Sequence, residues 1–175
     1  MTSETMEEHR QKSPTNVSCG VITLSDSKSK DKKEGKNTDI SGKYLFDKLN
    51  EKYQVNSYDI IPDEKDQLLQ SIENMIDKNI DVIFTTGGTG IGSRDITIET
   101  IEPIFDKELK GFGEIFRSKT CSELGSGAIL SRATAGVYKK TLIFSMPGSP
   151  NAVKLGLSIV IDELTHLKKH LKEWK

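Results

Sequence analysis

At 175 residues, 34% hydrophobic and 29% charged, the chain suits one domain with a single core and does not comfortably divide into two. Its 25 basic and 26 acidic residues leave a net charge of −1, which excludes a global electrostatic pull toward nucleic acid or an anionic membrane. No apolar run approaches the roughly 20 residues of a membrane span, no apolar leader opens the sequence, and Cys19 and Cys121 form no CxxC pair. These features point to a cytoplasmic protein with reduced thiols, whose charged ligands are gripped by a local site.

In chain order, residues 1–16 are polar and aperiodic and read as a flexible tail, leaving 17–175 as one domain. Cys19 to Ser25 is a short β-branched run, the pattern of a strand. Lys28 to Lys36 (KSKDKKEGK) is entirely polar and reads as an exposed loop. Ile40, Tyr44, Leu45 and Leu49 recur at helical spacing behind Asp39 as N-cap. Val55 to Ile61, closed by Pro62, predicts a second strand. Leu68, Leu69, Ile72, Met75 and Ile76 give a second helix its apolar face, with Asp63 or Glu64 near its start. Asp81 to Thr86 is a third strand, with the continuous apolar centre of one buried on both faces.

The glycine segment Gly87 to Gly92 leads into a helix that Pro103 interrupts, and Phe112, Ile115 and Phe116 predict another short helix. Thr134 to Tyr138 and Thr141 to Met146, separated only by Lys139-Lys140, predict a hairpin. Ser149 caps and Pro150 opens one long terminal helix, with Leu157, Val160, Ile161, Leu164, Leu167 and Leu171 on its core face. Alternating strands and helices imply parallel pairing. The expected fold is therefore a three-layer α/β/α domain, its sheet mostly parallel with one antiparallel hairpin at the edge.

In such a sheet, ligands bind beyond the carboxyl ends of the strands, near the switch in strand order. Ser25-Asp26, Pro62 to Glu64, Gly87 to Asp95 and Met146 to Pro150 all fall there. Gly87, Gly88 and Gly90 let backbone N–H groups approach an oxyanion, and Thr89 adds a hydroxyl; the plainer reading is a tight turn. The segment is neither a P-loop, since Ser93 rather than lysine follows Gly92, nor a GxGxxG fingerprint. Asp63 and Asp95 lie just past strand ends, where two carboxylates beside a phosphate cradle suit Mg²⁺. Helix capping by Asp63, or a pairing of Asp95 with Arg94, accounts for the same residues. Ser25-Asp26 either holds a ligand or ends a strand, and Ser131-Arg132 either clamps phosphate or lies in solvent. His9, His166 and His170 show no metal pattern.

Taken in order, these segments resemble the MogA/MoaB family of molybdenum-cofactor biosynthesis proteins, whose fold also occurs in gephyrin. The matching stretches are Ile22 to Asp26, Thr38 to Gly42, Ile61 to Glu64, Thr85 to Gly90, Arg94 to Thr97 with Glu99, Gly111 to Glu114, Leu130 to Arg132 with Ala135-Gly136, and Leu142 to Gly148. The resemblance implies binding of molybdopterin and its adenylylation with Mg-ATP, releasing pyrophosphate. A non-catalytic carrier of the MoaB type is the alternative, and Asp63 and Asp95, retained here, favour the enzyme. It assigns catalysis and Mg²⁺ to Asp63 and Asp95. Ser25, Asp26, Gly87, Gly88, Thr89, Gly90, Arg94, Ser131, Arg132, Pro147 and Gly148 are assigned to the substrate pockets. It further implies a trimer or hexamer, and a downstream metal-insertion protein as partner.

Overall fold

The computed structural model describes residues 16–172; the expected tail, apart from Asn16, lies outside them. The strands are β1 (Ser18–Leu24), β2 (Gln54–Ile61), β3 (Val82–Thr86), β4 (Lys107–Glu108), β5 (Thr134–Tyr138) and β6 (Thr141–Met146). The helices are α1 (Asp26–Lys33), α2 (Ile40–Asn50), α3 (Lys65–Asp77), α4 (Thr97–Ile101), α5 (Lys110–Leu124), α6 (Pro150–Val160) and α7 (Leu164–Lys172). Short 3₁₀ turns cover Glu102–Ile104 and Gly125–Leu130.

One six-stranded sheet has the order β2-β1-β3-β6-β5-β4. The first four strands are parallel, and β5 and β4 add an antiparallel edge. Strand alternation splits the core in two. Val21, Phe84, Leu142 and Phe144 pack with Leu45, Leu49, Phe112, Phe116, Val153 and Leu157 on one face. Ile22, Leu24, Ile83 and Ile143 pack with Leu68, Ile72 and Met75 on the other. Each such fully buried side chain is worth about 1.5–3 kcal/mol relative to exposure. The layers are thus helix, sheet, helix, as expected.

The hairpin falls at Lys139 and Lys140, whose φ of 47° and 66° form the mirror-image turn that matches strand twist. Asp39 caps α2 by accepting from the Gly42 amide at 3.0 Å, and Ser149 caps α6.

Three expectations are corrected. Lys28 to Lys36 is a loop only from Glu34 on: Asp26–Lys33 is helical, with Ser25 as N-cap, Asp26 in the first turn and lysines in the last. The helix is held by its cap and by charges opposed to its dipole, not by an apolar face. The predicted terminal helix is two helices, because the Tyr53 hydroxyl takes the Ile161 carbonyl at 2.6 Å and Lys52 pairs with Asp162 at the break. The short helix around Phe112 runs fifteen residues, its added turns being solvent-facing. No described helix is long and apolar enough to cross a membrane.

Candidate functional site

The strand order reverses between β1 and β3, one neighbouring β2 and the other β6, so the crevice opens where these strands end. Gly87 is tied to both neighbours: its amide donates to Met146 O at 3.1 Å, and its Cα lies against Gly148. Thr97 braces the turn from α4, its hydroxyl donating to Gly87 O and its amide to Gly88 O, both at 2.9 Å. The Gly88, Thr89 and Gly90 amides donate to nothing among the described residues, which leaves them for an anion.

Asp63 and Asp95 flank this loop. A Cβ on Gly88, where φ is +61°, would stand 2.9 Å from Asp63 Oδ1, and one on Gly90 would stand 2.7 Å from Asp95 Oδ2. At Gly88 the positive φ and Thr97 Oγ1, nearer still at 2.6 Å, favour glycine together with that carboxylate, whereas at Gly90 the Asp95 carboxylate alone fills the side-chain space. Asp63 does not cap α3; Glu64 holds the N-cap position without a side-chain bond. Instead Asp63 Oδ2 accepts from the Asp26 amide at 3.0 Å, and Asp26 Oδ1 accepts from the Asp63 amide at 3.1 Å. Asp95 Oδ2 accepts from the Gly92 amide at 2.8 Å and closes a turn. Each aspartate thus keeps its other oxygen clear of these bonds. Two such carboxylates beside unbonded loop amides suit Mg²⁺ in their chemistry, since it takes one or two carboxylates together with phosphate oxygens and waters.

Arg94 does not pair with Asp95. Its Nε and Nη2 grip Asp26 bidentately at 3.0 and 2.8 Å, joining the glycine loop to the end of β1. This guanidinium holds the Asp26 carboxyl below the usual carboxylate range. Burial pushes the Asp63 carboxyl up, and the charges of Asp26 and Asp95 add to that against the Asp26 amide and Arg94. Asp39, beneath α1, is fully buried. Burial would raise it, but hydrogen bonds from Tyr58 and the Gly42 amide, with Lys28 at 3.4 Å, outweigh that and hold it low.

Ser25 and Asp26 therefore serve the architecture first, as cap and as arginine partner. Arg132 does likewise: Nη1 donates to Gly90 O at 2.8 Å and Nη2 to Glu99. It braces the glycine loop from the far side, and Glu99, to which sequence reasoning assigned no role, orients it. Spacing could not show this partnership, since 33 residues separate the two. Pro147 and Gly148 accept from Thr86 and Ser41. Ser131 is buried, and its hydroxyl has no partner among the described residues. It borders two clefts. One, of about 380 Å³, lies between α4, β4 and α5; the other, of about 210 Å³, lies against Pro147 and α6.

A family model described as a probable molybdopterin binding domain matches residues 20–166. The chain is 44% identical over 172 residues to a molybdopterin adenylyltransferase of Pyrococcus furiosus, covering 96% of this chain and 99% of that one. It is 45% identical over 174 residues to molybdenum cofactor biosynthesis protein B of Bacillus subtilis, covering 97% and 99%. Among solved structures, the tungsten cofactor synthesizing protein MoaB of Pyrococcus furiosus superposes with a TM-score of 0.84 at 44% identity, over 91% of this chain and 99% of that one.

Proposed function

The chain belongs to the family of molybdopterin-binding domains of molybdenum-cofactor biosynthesis, and from that premise we propose that it adenylylates molybdopterin. The terminal phosphate oxygen of molybdopterin attacks the α-phosphorus of ATP. A new P–O bond forms, the α–β phosphoanhydride breaks, and pyrophosphate leaves with the electron pair. Such a transfer needs alignment and charge neutralisation more than covalent help from the protein. The observation that carries the reading is the glycine loop, with free amides at Gly88 to Gly90 between the carboxylates of Asp63 and Asp95.

In this reading the loop amides orient phosphate, and Arg132 with Glu99 keeps the Gly90 peptide in place. Arg94 and Asp26 hold Asp63 at the mouth of the crevice. Asp63 and Asp95 would hold Mg²⁺, which when bound neutralises phosphate charge. Ser25, Ser131, Pro147 and Gly148 border the crevice and shape the pockets. The active unit is a trimer or hexamer acting in the cytoplasm, and its product passes to a protein that inserts metal.

Single-turnover transfer tests this directly. With intact molybdopterin, Mg²⁺ and α-labelled ATP, label should move to the pterin with release of pyrophosphate. Asp95→Asn should lower the rate at least ~100-fold, the scale of losing one charge-stabilising group, while pterin binding persists. Tight pterin binding without transfer by the unmodified protein would identify a carrier instead.

A further inference from the structure

Helix α7 carries a pair of side chains that the crevice does not use. His166 and His170 are four residues apart, so they lie one above the other on a single face of the helix. That spacing is common and in the sequence shows no metal pattern; the side-chain directions decide otherwise. The two Nε2 atoms stand 3.2 Å apart. The ring centroids are only 4.7 Å apart, with the planes at 87°, which is closer than two rings meeting head on would lie across that gap. The nitrogens thus meet at an angle, and a point beside them is within reach of both lone pairs. An ion held by two imidazoles at the usual length of about 2.0–2.1 Å keeps their nitrogens about 3.3 Å apart at the tetrahedral angle and about 2.9 Å apart at a right angle. The observed separation falls between those limits.

The surroundings decide which ion and where. Leu164, Leu167 and Leu171 turn another side of the helix into the core, leaving His170 exposed and His166 half-buried. Neutral imidazoles suit Zn²⁺, Ni²⁺ and Cu²⁺, whereas Mg²⁺ takes oxygen ligands. Lys168, between the two in sequence, is committed elsewhere: its Nζ donates to Asp81 Oδ2 at 2.6 Å and to the Asn16 carbonyl at 2.7 Å. Asp81 immediately precedes β3, so α7 lies at the amino ends of the strands, the edge opposite the crevice. An ion held there is not the one expected at Asp63 and Asp95. No three His, Cys, Asp or Glu side chains gather as a metal site among the described residues, so the pair acts as a two-point chelate, with the other positions open to water.

We propose that His166 and His170 form a bidentate surface site for a borderline divalent cation, Zn²⁺ or its neighbours Ni²⁺ and Cu²⁺, seated between the two Nε2 atoms. Without an ion, one ring donates its N–H to the other. With one, the proton of each ring sits on Nδ1 and both Nε2 lone pairs face the cation. The chelate ties two successive turns of α7 together, and it stands independently of the molybdopterin reading.

The test is metal titration of the full chain carrying Cys121→Ser, which removes the exposed thiol as a competing ligand. Zn²⁺, measured in competition with a chromophoric chelator, should bind, and a large excess of Mg²⁺ should leave it in place. Adding the exposed substitution His170→Gln should weaken that binding about 100-fold, because loss of one of two linked ligands removes the chelate. With Cu²⁺, the electron paramagnetic resonance spectrum should show coupling to two imidazole nitrogens, and to one fewer after His170→Gln. Unchanged Zn²⁺ affinity in His170→Gln, or a Cu²⁺ spectrum that the substitution does not alter, would overturn the assignment. Displacement of Zn²⁺ by Mg²⁺ would overturn it too, placing the ion on the crevice carboxylates.

Discussion

Asp63 holds its charge against burial and against two neighbouring carboxylates, and this fixes the sign of a pH effect. Its pKa is raised in the folded chain, so this group favours the folded state below its unfolded pKa, an advantage lost as pH rises through the folded value. A protonated Asp63 cannot serve a cation. The acid limb of kcat/KM should therefore lie above the ordinary aspartate range, and rising Mg²⁺ should move it to lower pH, because a bound cation favours the ionised form. A pH–rate profile at two Mg²⁺ concentrations checks both. Arg132 makes a different prediction. Its bond to Gly90 O fixes the loop, so Arg132→Ala should lower kcat by about 10- to 100-fold, the scale of a slight misplacement of reacting groups. Glu99→Gln, which leaves that bond in place, should cost less, and the comparison of kcat for the two variants measures the brace. The pairings themselves were not legible. Arg94 has Asp95 as its chain neighbour yet binds Asp26, 68 residues away, because the loop turns its guanidinium back toward β1.

Elements whose stability comes from burying an apolar face were readable, and those held otherwise were not. β1, β2 and β3 fall within one residue of their expected limits, since β-branched runs between polar breaks leave little freedom. Helix α1 has no such face, and its polar run of lysines gave no period to read. Because its cap carries much of its stability, Ser25→Ala should cost about 1 kcal/mol. That loss should appear as faster amide exchange over residues 28–33, with the core strands unchanged. Loss of protection across the whole sheet would show instead that α1 is structural to the domain. The break between α6 and α7 was invisible for another reason. Its apolar spacing continues through Ile161 and Leu164, while the break is marked by contacts from a distant segment, the Tyr53 hydroxyl on the Ile161 carbonyl and Lys52 on Asp162.

At the scale of the molecule, Phe112 and Phe116 belong to the core, whereas Ile115 is 47% exposed beside an apolar groove lined by Leu109, Ile159 and Leu167. If the assembly is a trimer closed through this face, Ile115→Lys should shift its sedimentation toward the monomer; unchanged sedimentation would place the interface elsewhere. The four segments expected at the crevice do converge there, because parallel strands joined by helices bring every strand's carboxyl end to one edge. That much the sequence determined alone, along with the layer order and the hairpin, since each follows from local periodicity and turn chemistry. The tertiary structure alone decided which groups are spent and which are free. Arg94 is bound to Asp26, and Arg132 to Glu99 and the loop, while the amides of Gly88 to Gly90, one oxygen each of Asp63 and Asp95, and the Ser131 hydroxyl have no hydrogen-bond partner among the described residues. Hydrogen-bond partners tens of residues apart are chosen by packing distance and direction, which no spacing in the chain encodes.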